Sequence, residues 1–142
     1  MEQEPDPQRK EVLMMEQPSP VILVVEDDVA TLKLLSYSLR RHAPTSTVVT
    51  AESGRSALQY LAESPISLLL TDYLLPDMDG LQLVAAVKAA SPATYVVLCS
   101  VDDTRDIRKR AQEHGVDQFL SKLDLLARLG EVVRVGLGRT GE

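Results

Sequence analysis

Four short apolar runs each lead into a polar group capable of chemistry. Val21-Ile22-Leu23-Val24-Val25 runs into Glu26-Asp27-Asp28, Ile66-Ser67-Leu68-Leu69-Leu70 into Thr71-Asp72, Tyr95-Val96-Val97-Leu98-Cys99 into Ser100, and Gln118-Phe119-Leu120 into Ser121-Lys122. If the runs are strands of one parallel sheet, ligands gather outside their carboxyl ends, where strand order reverses. That edge would collect three or four carboxylates, a hydroxyl and an ammonium. Clustered carboxylates repel one another unless something positive sits among them. Oxygen donors without His or Cys suit a hard dication, so the expected cofactor is Mg2+, with Mn2+ as the substitute. A metal, a carboxylate, a hydroxyl and an ammonium are the parts of a phosphoryl-transfer site, where cations offset charge on the transferred oxygens. Taken singly, each residue has a plainer role: Asp28 can cap a helix, a Ser can sit in a turn, and a Lys can be a solvated charge. Their joint placement at four strand ends favours chemistry.

The elements that must position these groups are legible in the apolar pattern. Strands are expected over Val21 to Val25, Thr47 to Thr50, Ile66 to Thr71, Thr94 to Cys99 and Gln118 to Leu120. The first, third and fourth are nearly continuous in apolar character, as befits central strands covered on both faces. Helices are expected over Val29 to His42, Gly54 to Glu63, Leu81 to Ala90, Thr104 to His114 and Asp124 to Leu137. In the first, Leu32, Leu35 and Leu39 recur at three and four residues; Leu58 and Leu61 continue the idea in the second. Ala43-Pro44, Ser64-Pro65 and Ser91-Pro92 end the first three helices, and Gly115 can cap the fourth. Five alternating strand and helix units imply an α/β fold on a parallel sheet.

With 142 residues, 44% of them apolar, the chain can bury one sizeable core. A net charge of -6 leaves no large basic surface to neutralise nucleic-acid phosphates, and the four scattered tyrosines form no stacking platform for bases. Direct nucleic-acid binding is therefore disfavoured. The single cysteine, Cys99, excludes an internal disulfide and a multi-thiolate zinc site, and its place in an apolar run makes it a small buried hydrophobe. No stretch approaches the roughly 20 apolar residues of a membrane span, and the first residues lack a signal-peptide pattern, so a cytoplasmic location without membrane contact is expected. Residues 1–20, rich in Pro, Glu and Gln, read as a flexible tail, 21–138 as the folded domain, and 139–142 as a disordered end, with fraying expected from Gly136.

These residues resemble the receiver domain of two-component response regulators, the CheY-like group. The likeness covers roughly Val21 to Leu137 and is strongest over Leu70-Thr71-Asp72-Tyr73-Leu74-Leu75-Pro76-Asp77-Met78-Asp79-Gly80. The acidic run, the hydroxyl residue and Phe119-Leu120-Ser121-Lys122 follow in the family's order. The resemblance implies a flavodoxin-like, doubly wound five-stranded sheet of order 2-1-3-4-5 with helices on both faces. It implies that Asp72 is the phosphoacceptor, that Asp27 binds the metal directly and Glu26 through water, and that Leu74 offers its backbone carbonyl. Ser100 and Lys122 would each contact a phosphoryl oxygen, and Ser100 with Phe119 would form the switch. The implied donor is a sensor histidine kinase or phosphotransfer protein. A downstream protein partner would read the face made by the fourth helix, fifth strand and fifth helix, and a homodimer is left open. The chain would then be no turnover enzyme, performing only self-phosphorylation and autodephosphorylation.

Three positions depart from the family pattern. Leu123 stands where Pro, and with it a cis bond, usually follows the lysine. Val101 is bulky and β-branched where a small residue is usual, and Phe119 lacks the commoner tyrosine hydroxyl. Val101 and Leu123 keep a second reading open, a receiver-like interaction module that works without phosphorylation. A hydrolase with an aspartyl-phosphate intermediate fits less well, because Tyr73-Leu74 supplies no second acid after Asp72. Arg105, Arg108, Lys109 and Arg110 make the fourth helix basic, either as a docking face for an acidic partner or paired with Asp102, Asp103 and Asp106. His42 and His114 suit helix C-termini better than a relay role. With no DNA-binding, cyclase or kinase segment after the fifth helix, a single-domain regulator or a fragment of a larger protein is expected.

Overall fold

The computed structural model describes residues 19–140. The expected flexible tail lies outside the described residues apart from Ser19 and Pro20, and of the expected disordered end, 139–142, the last two residues lie outside them. The strands are β1 (Val21–Val25), β2 (Thr47–Ala51), β3 (Leu68–Asp72), β4 (Tyr95–Ser100) and β5 (Gln118–Ser121). The helices are α1 (Val29–His42), α2 (Gly54–Glu63), α3 (Gly80–Ala90), α4 (Arg105–Glu113) and α5 (Leu125–Thr140). All neighbouring strands pair in parallel, in the order β2-β1-β3-β4-β5.

Alternation along the strands divides the core in two. Ile22, Val24, Leu68, Leu70, Val97 and Cys99 meet Leu32, Leu35 and Leu39 of α1 and Leu129 and Val132 of α5. Leu23, Val25, Leu69, Val96 and Leu98 turn to the other face, against Ala57, Leu81, Val84, Val87 and Ala111 of α2, α3 and α4. Strands β1, β3 and β4 are buried along nearly their whole length, which explains their unbroken apolar runs.

Local chemistry sets the helix ends. Asp28, Ser53, Asp79 and Thr104 cap α1 to α4, each accepting a backbone N–H from the first turn. Asp79 and Gln82 complete a reciprocal capping box at α3. Ala43, Ser64 and Ser91, each before a proline, close α1, α2 and α3. His114 is the C-cap of α4, and Gly115 follows at φ +84°, the left-handed conformation that glycine adopts without a Cβ penalty.

Strand limits move by one or two residues from those expected, so that Asp72 and Ser100 are the last residues of β3 and β4 themselves. The fraying expected from Gly136 is not what the structure has, since α5 continues to Thr140. The reason is tertiary. A Cβ at Gly136 would lie 2.9 Å from Tyr95 Cδ1 and 3.0 Å from Leu68 Cδ1, so the glycine lets α5 press onto the sheet. No cis peptide bond occurs among the described residues.

Leu69, wholly buried in β3, the middle strand of the sheet, tests this arrangement. Leu69→Ala should cost about 2–5 kcal/mol, read from the midpoint of urea unfolding at unchanged slope.

Candidate functional site

The carboxyl ends of β1, β3, β4 and β5 form one edge because parallel strands all point the same way. Glu26 follows β1 and donates its backbone N–H to Ala51 at the end of β2, 3.1 Å away. Asp72 ends β3 and sits beside Cys99 in the ladder with β4. Carboxylate oxygens of Glu26, Asp27 and Asp72 lie within 4.8 Å of one another, a spacing from which three oxygens could hold one metal ion. Asp27 is exposed, whereas Glu26 and Asp72 are only 2% and 7% exposed.

Lys122, directly after β5, reaches into this cluster. Its Nζ donates to Asp72 Oδ2 at 2.8 Å and lies 2.9 Å from Glu26 Oε2 and 3.2 Å from Oε1. One ammonium thus bridges two buried carboxylates. Burial is the largest influence on Glu26 and raises its pKa above the ordinary glutamate value, with the neighbouring Asp72 charge adding to the rise and Lys122 opposing it. Burial disfavours the Lys122 ammonium, but its hydrogen bonds to Asp72 and Glu26 outweigh that cost and raise its pKa. The lysine is a cation throughout the physiological range. Burial pushes the Cys99 thiol far above its ordinary value, leaving it an unreactive core residue.

The other expected site residues fall around this cluster. Ser100 is buried beside Ser121 in the ladder, and its Oγ accepts the Asp102 N–H at 3.0 Å. Leu74 lies two residues beyond Asp72, exposed, and pairs with Asp79 in an isolated bridge. Phe119 is half-buried in β5 under the guanidinium of Arg108, 4.7 Å from the ring centroid. Arg108 is itself held by both carboxylate oxygens of Asp103, one at 2.8 Å from Nη2. That pair agrees with one expected use of the basic helix. Arg110 does something else, donating to the Tyr73 hydroxyl at 2.9 Å and facing Asp79 at 3.6 Å.

The β3–α3 loop is anchored at points that reading by residue type passed over. Gly80 N–H donates to the Tyr73 carbonyl at 2.6 Å, and a Cβ on Gly80 would come 2.3 Å from the Asp72 carbonyl oxygen and 2.9 Å from Tyr73 Cα. Only glycine allows the start of α3 to pass so close to the acidic strand end. Asp77 takes the Gly54 N–H at 2.9 Å and the Arg55 N–H at 2.8 Å, tying the loop to the start of α2. The Asp-Gly and Pro-Asp signature in the sequence was the available signal for these two anchors.

A sequence profile described as response regulator receiver domain matches residues 22–134. The chain belongs to this family. It is 35% identical over 101 residues to transcriptional regulatory protein GlrR of Escherichia coli (strain K12), covering 71% of this chain and 22% of that protein's length. It is 31% identical over 109 residues to two-component response regulator ORR3 of Oryza sativa subsp. indica, covering 75% of this chain and 82% of the relative. Among solved structures, the signal receiver domain of an HD domain-containing protein from Pseudomonas fluorescens Pf-5 superposes with TM-score 0.78 at 28% identity, over 87% of this chain and all but 1% of that one. The BeF3-activated DrrB receiver domain superposes with TM-score 0.70 at 27% identity, over 81% and 97% of the two chains. Receiver domains bind Mg2+ at an acidic pocket, interact with histidine kinases or phosphotransfer proteins and with downstream effectors, and are generally not catalytic enzymes. Among the described residues of this receiver domain, no helix is long and apolar enough to cross a membrane.

Two measurements check the anchors. Gly80→Ala should destabilise the domain by about 1–3 kcal/mol through overpacking against Asp72 and Tyr73, measured by denaturant unfolding. The amides of Arg55, foremost, and Gly54 hold the Asp77 carboxyl below the ordinary 3.8. Its depressed folded value means that its stabilisation is complete above 3.8 and is lost as pH falls through that lower value. Carboxyl 13C titration should give a midpoint below 3.8 for Asp77, and Asp77→Asn should remove this step from the acid-unfolding curve.

Proposed function

We propose that this receiver domain takes a phosphoryl group on Asp72 in a two-component phosphorelay and that phosphorylation switches its binding of a downstream protein. The observation that carries the reading is the Lys122 ammonium shared between Asp72 and Glu26 inside a three-carboxylate cluster. A cation already in hydrogen-bond contact with the acceptor oxygen can move onto a phosphoryl oxygen as charge arrives there. Glu26, Asp27, Asp72 and the Leu74 carbonyl are the groups that would hold Mg2+ or Mn2+, and the bound ion would supply positive charge opposite the transferred oxygens. The all-oxygen donor set fits such an ion.

The residues divide the work as follows. An Asp72 carboxylate oxygen attacks phosphorus in line; the P–N bond of a phosphohistidine breaks, and the imidazole leaves with its electron pair. Lys122 pairs with one phosphoryl oxygen. The Ser100 hydroxyl turns from the Asp102 N–H to another, drawing its loop inward, and Phe119 follows into the space released. The donor is a histidine kinase or phosphotransfer protein, which assigns the chain to the cytoplasm. The output face is α4, β5 and α5.

A second reading, an interaction module independent of phosphorylation, is favoured by two exposed apolar side chains beside the pocket. Leu123 is 88% exposed and Val101 63% exposed, at two of the three positions that depart from the family pattern.

The two readings separate on one experiment. Acetyl phosphate should label the wild-type chain in the presence of Mg2+, and beryllofluoride should shift its amide spectrum; Asp72→Asn should abolish both. Labelling that persists in Asp72→Asn would overturn the acceptor assignment, and a wild-type spectrum indifferent to Mg2+ and beryllofluoride would establish the second reading.

A further inference from the structure

Helix α4 is weakly held by apolar packing, with Ala111 its one buried residue. Polar ties therefore make up much of what joins it to the body of the domain. One of them crosses directly to the loop that follows Asp72. The Tyr73 N–H donates to Cys99 of β4 at 2.8 Å, and the Tyr73 carbonyl accepts from Gly80 at 2.6 Å. Its phenol oxygen accepts from Arg110 Nη1 at 2.9 Å, while Arg110 Nη2 lies 3.6 Å from Asp79 Oδ2. Asp79 is both the N-cap of α3 and the bridge partner of Leu74. A single guanidinium thus spans the two ends of the loop that carries Leu74. Arg108, two residues earlier and on a different side of the helix, is committed instead to Asp103 and Phe119.

We propose that Arg110 is a positioning residue. It fixes the loop from Tyr73 to Asp79, and with it the Leu74 carbonyl, and it transmits a change in the acidic pocket to α4. This inference rests on the metal-binding reading above. A backbone carbonyl in a loop has no rotamer of its own, so its place is set by how the ends of the loop are held. The planar fork of arginine can hold a phenol and a carboxylate at once, which the single ammonium of lysine cannot do with fixed geometry. Arg110 and Asp79 are both partly exposed, with side chains 42% and 30% accessible, so their pairing adds little to global stability. Its removal should act on the loop while leaving the fold in place.

The test uses the full chain, 15N-labelled and titrated with MgCl2 alone, comparing wild type with Arg110→Gln, Arg110→Lys and Tyr73→Phe. In the wild type, amides of the acidic pocket and of residues 105–113 should shift together. In Arg110→Gln, Mg2+ affinity should fall about 10-fold, the loss typical when a residue supporting a metal ligand is removed. Its pocket amides should still respond at saturation, while those of residues 105–113 should no longer follow. Tyr73→Phe should move both readouts the same way by a smaller factor, and as the loss of one hydroxyl it keeps the test available if Arg110→Gln does not fold. Arg110→Lys should recover part of the affinity through Asp79. A merely stabilising arginine would lower the melting temperature and leave the Mg2+ response of α4 intact. Wild-type Mg2+ affinity together with a responding α4 in Arg110→Gln and Tyr73→Phe would overturn the role of Arg110 alone. A wild-type chain that does not respond to Mg2+ would overturn the metal-binding reading and this inference with it.

Discussion

Two carboxylates buried within reach of one ammonium are the constraint around which this domain is arranged. Glu26 and Asp72 lie at the ends of adjacent strands in an apolar sheet, where an unpaired charge is costly and two like charges more so. Lys122 relieves that cost only because β5 runs parallel to β3 and β1 and delivers its last residues to the same edge. A parallel sheet is thus a requirement of the site as well as its scaffold. The raised pKa of Glu26 and of Lys122 express the same tension from its two sides: burial resists charge on each, and contact between them sustains it.

A cluster so crowded needs a precisely held boundary, and the β3–α3 loop supplies it. Gly80 brings the start of α3 against the Asp72 carbonyl, Asp77 fastens the loop to α2, and Arg110 fastens its ends to α4. Three helices therefore meet the residues that follow Asp72. Helix α4 is the least embedded of these helices in the core, and its arginines reach both the loop and Phe119. A small rearrangement near Asp72 has a short physical route to that helix. The exposed side chains of Leu74, Val101 and Leu123 give the rim of the pocket an apolar character that its acidic floor lacks.

Much of this was legible in the order of residues. The limits of β1, α1 and α2 agree with those read from periodicity and punctuation, because apolar spacing, capping side chains and prolines act within a few residues of where they stand. The acidic run, the Asp72 segment, Ser100 and Lys122 could be read as one site because each ends an apolar run, and a parallel sheet turns that shared position into proximity. The exceptions have a common cause. Local pattern reads Gly136 as the start of a fraying end, yet α5 continues to Thr140, and the glycine stands where the approach to Tyr95 and Leu68 leaves no room for a Cβ. Arg110 belongs to a run of basic residues on a charged helix, and its partners Tyr73 and Asp79 lie far upstream.

The sequence alone thus determined the alternation of elements, the parallel sheet, and which residue types meet at its carboxyl edge, since these follow from local pattern and strand direction. Tertiary structure decided which partner each charged group takes: Lys122 between Asp72 and Glu26, Asp77 on the start of α2, Arg108 on Phe119, and Arg110 across the loop after Asp72. Exposed and half-buried charges have many local partners of similar energy. Only the packing of helices against the sheet brings one of them within hydrogen-bond distance and excludes the rest.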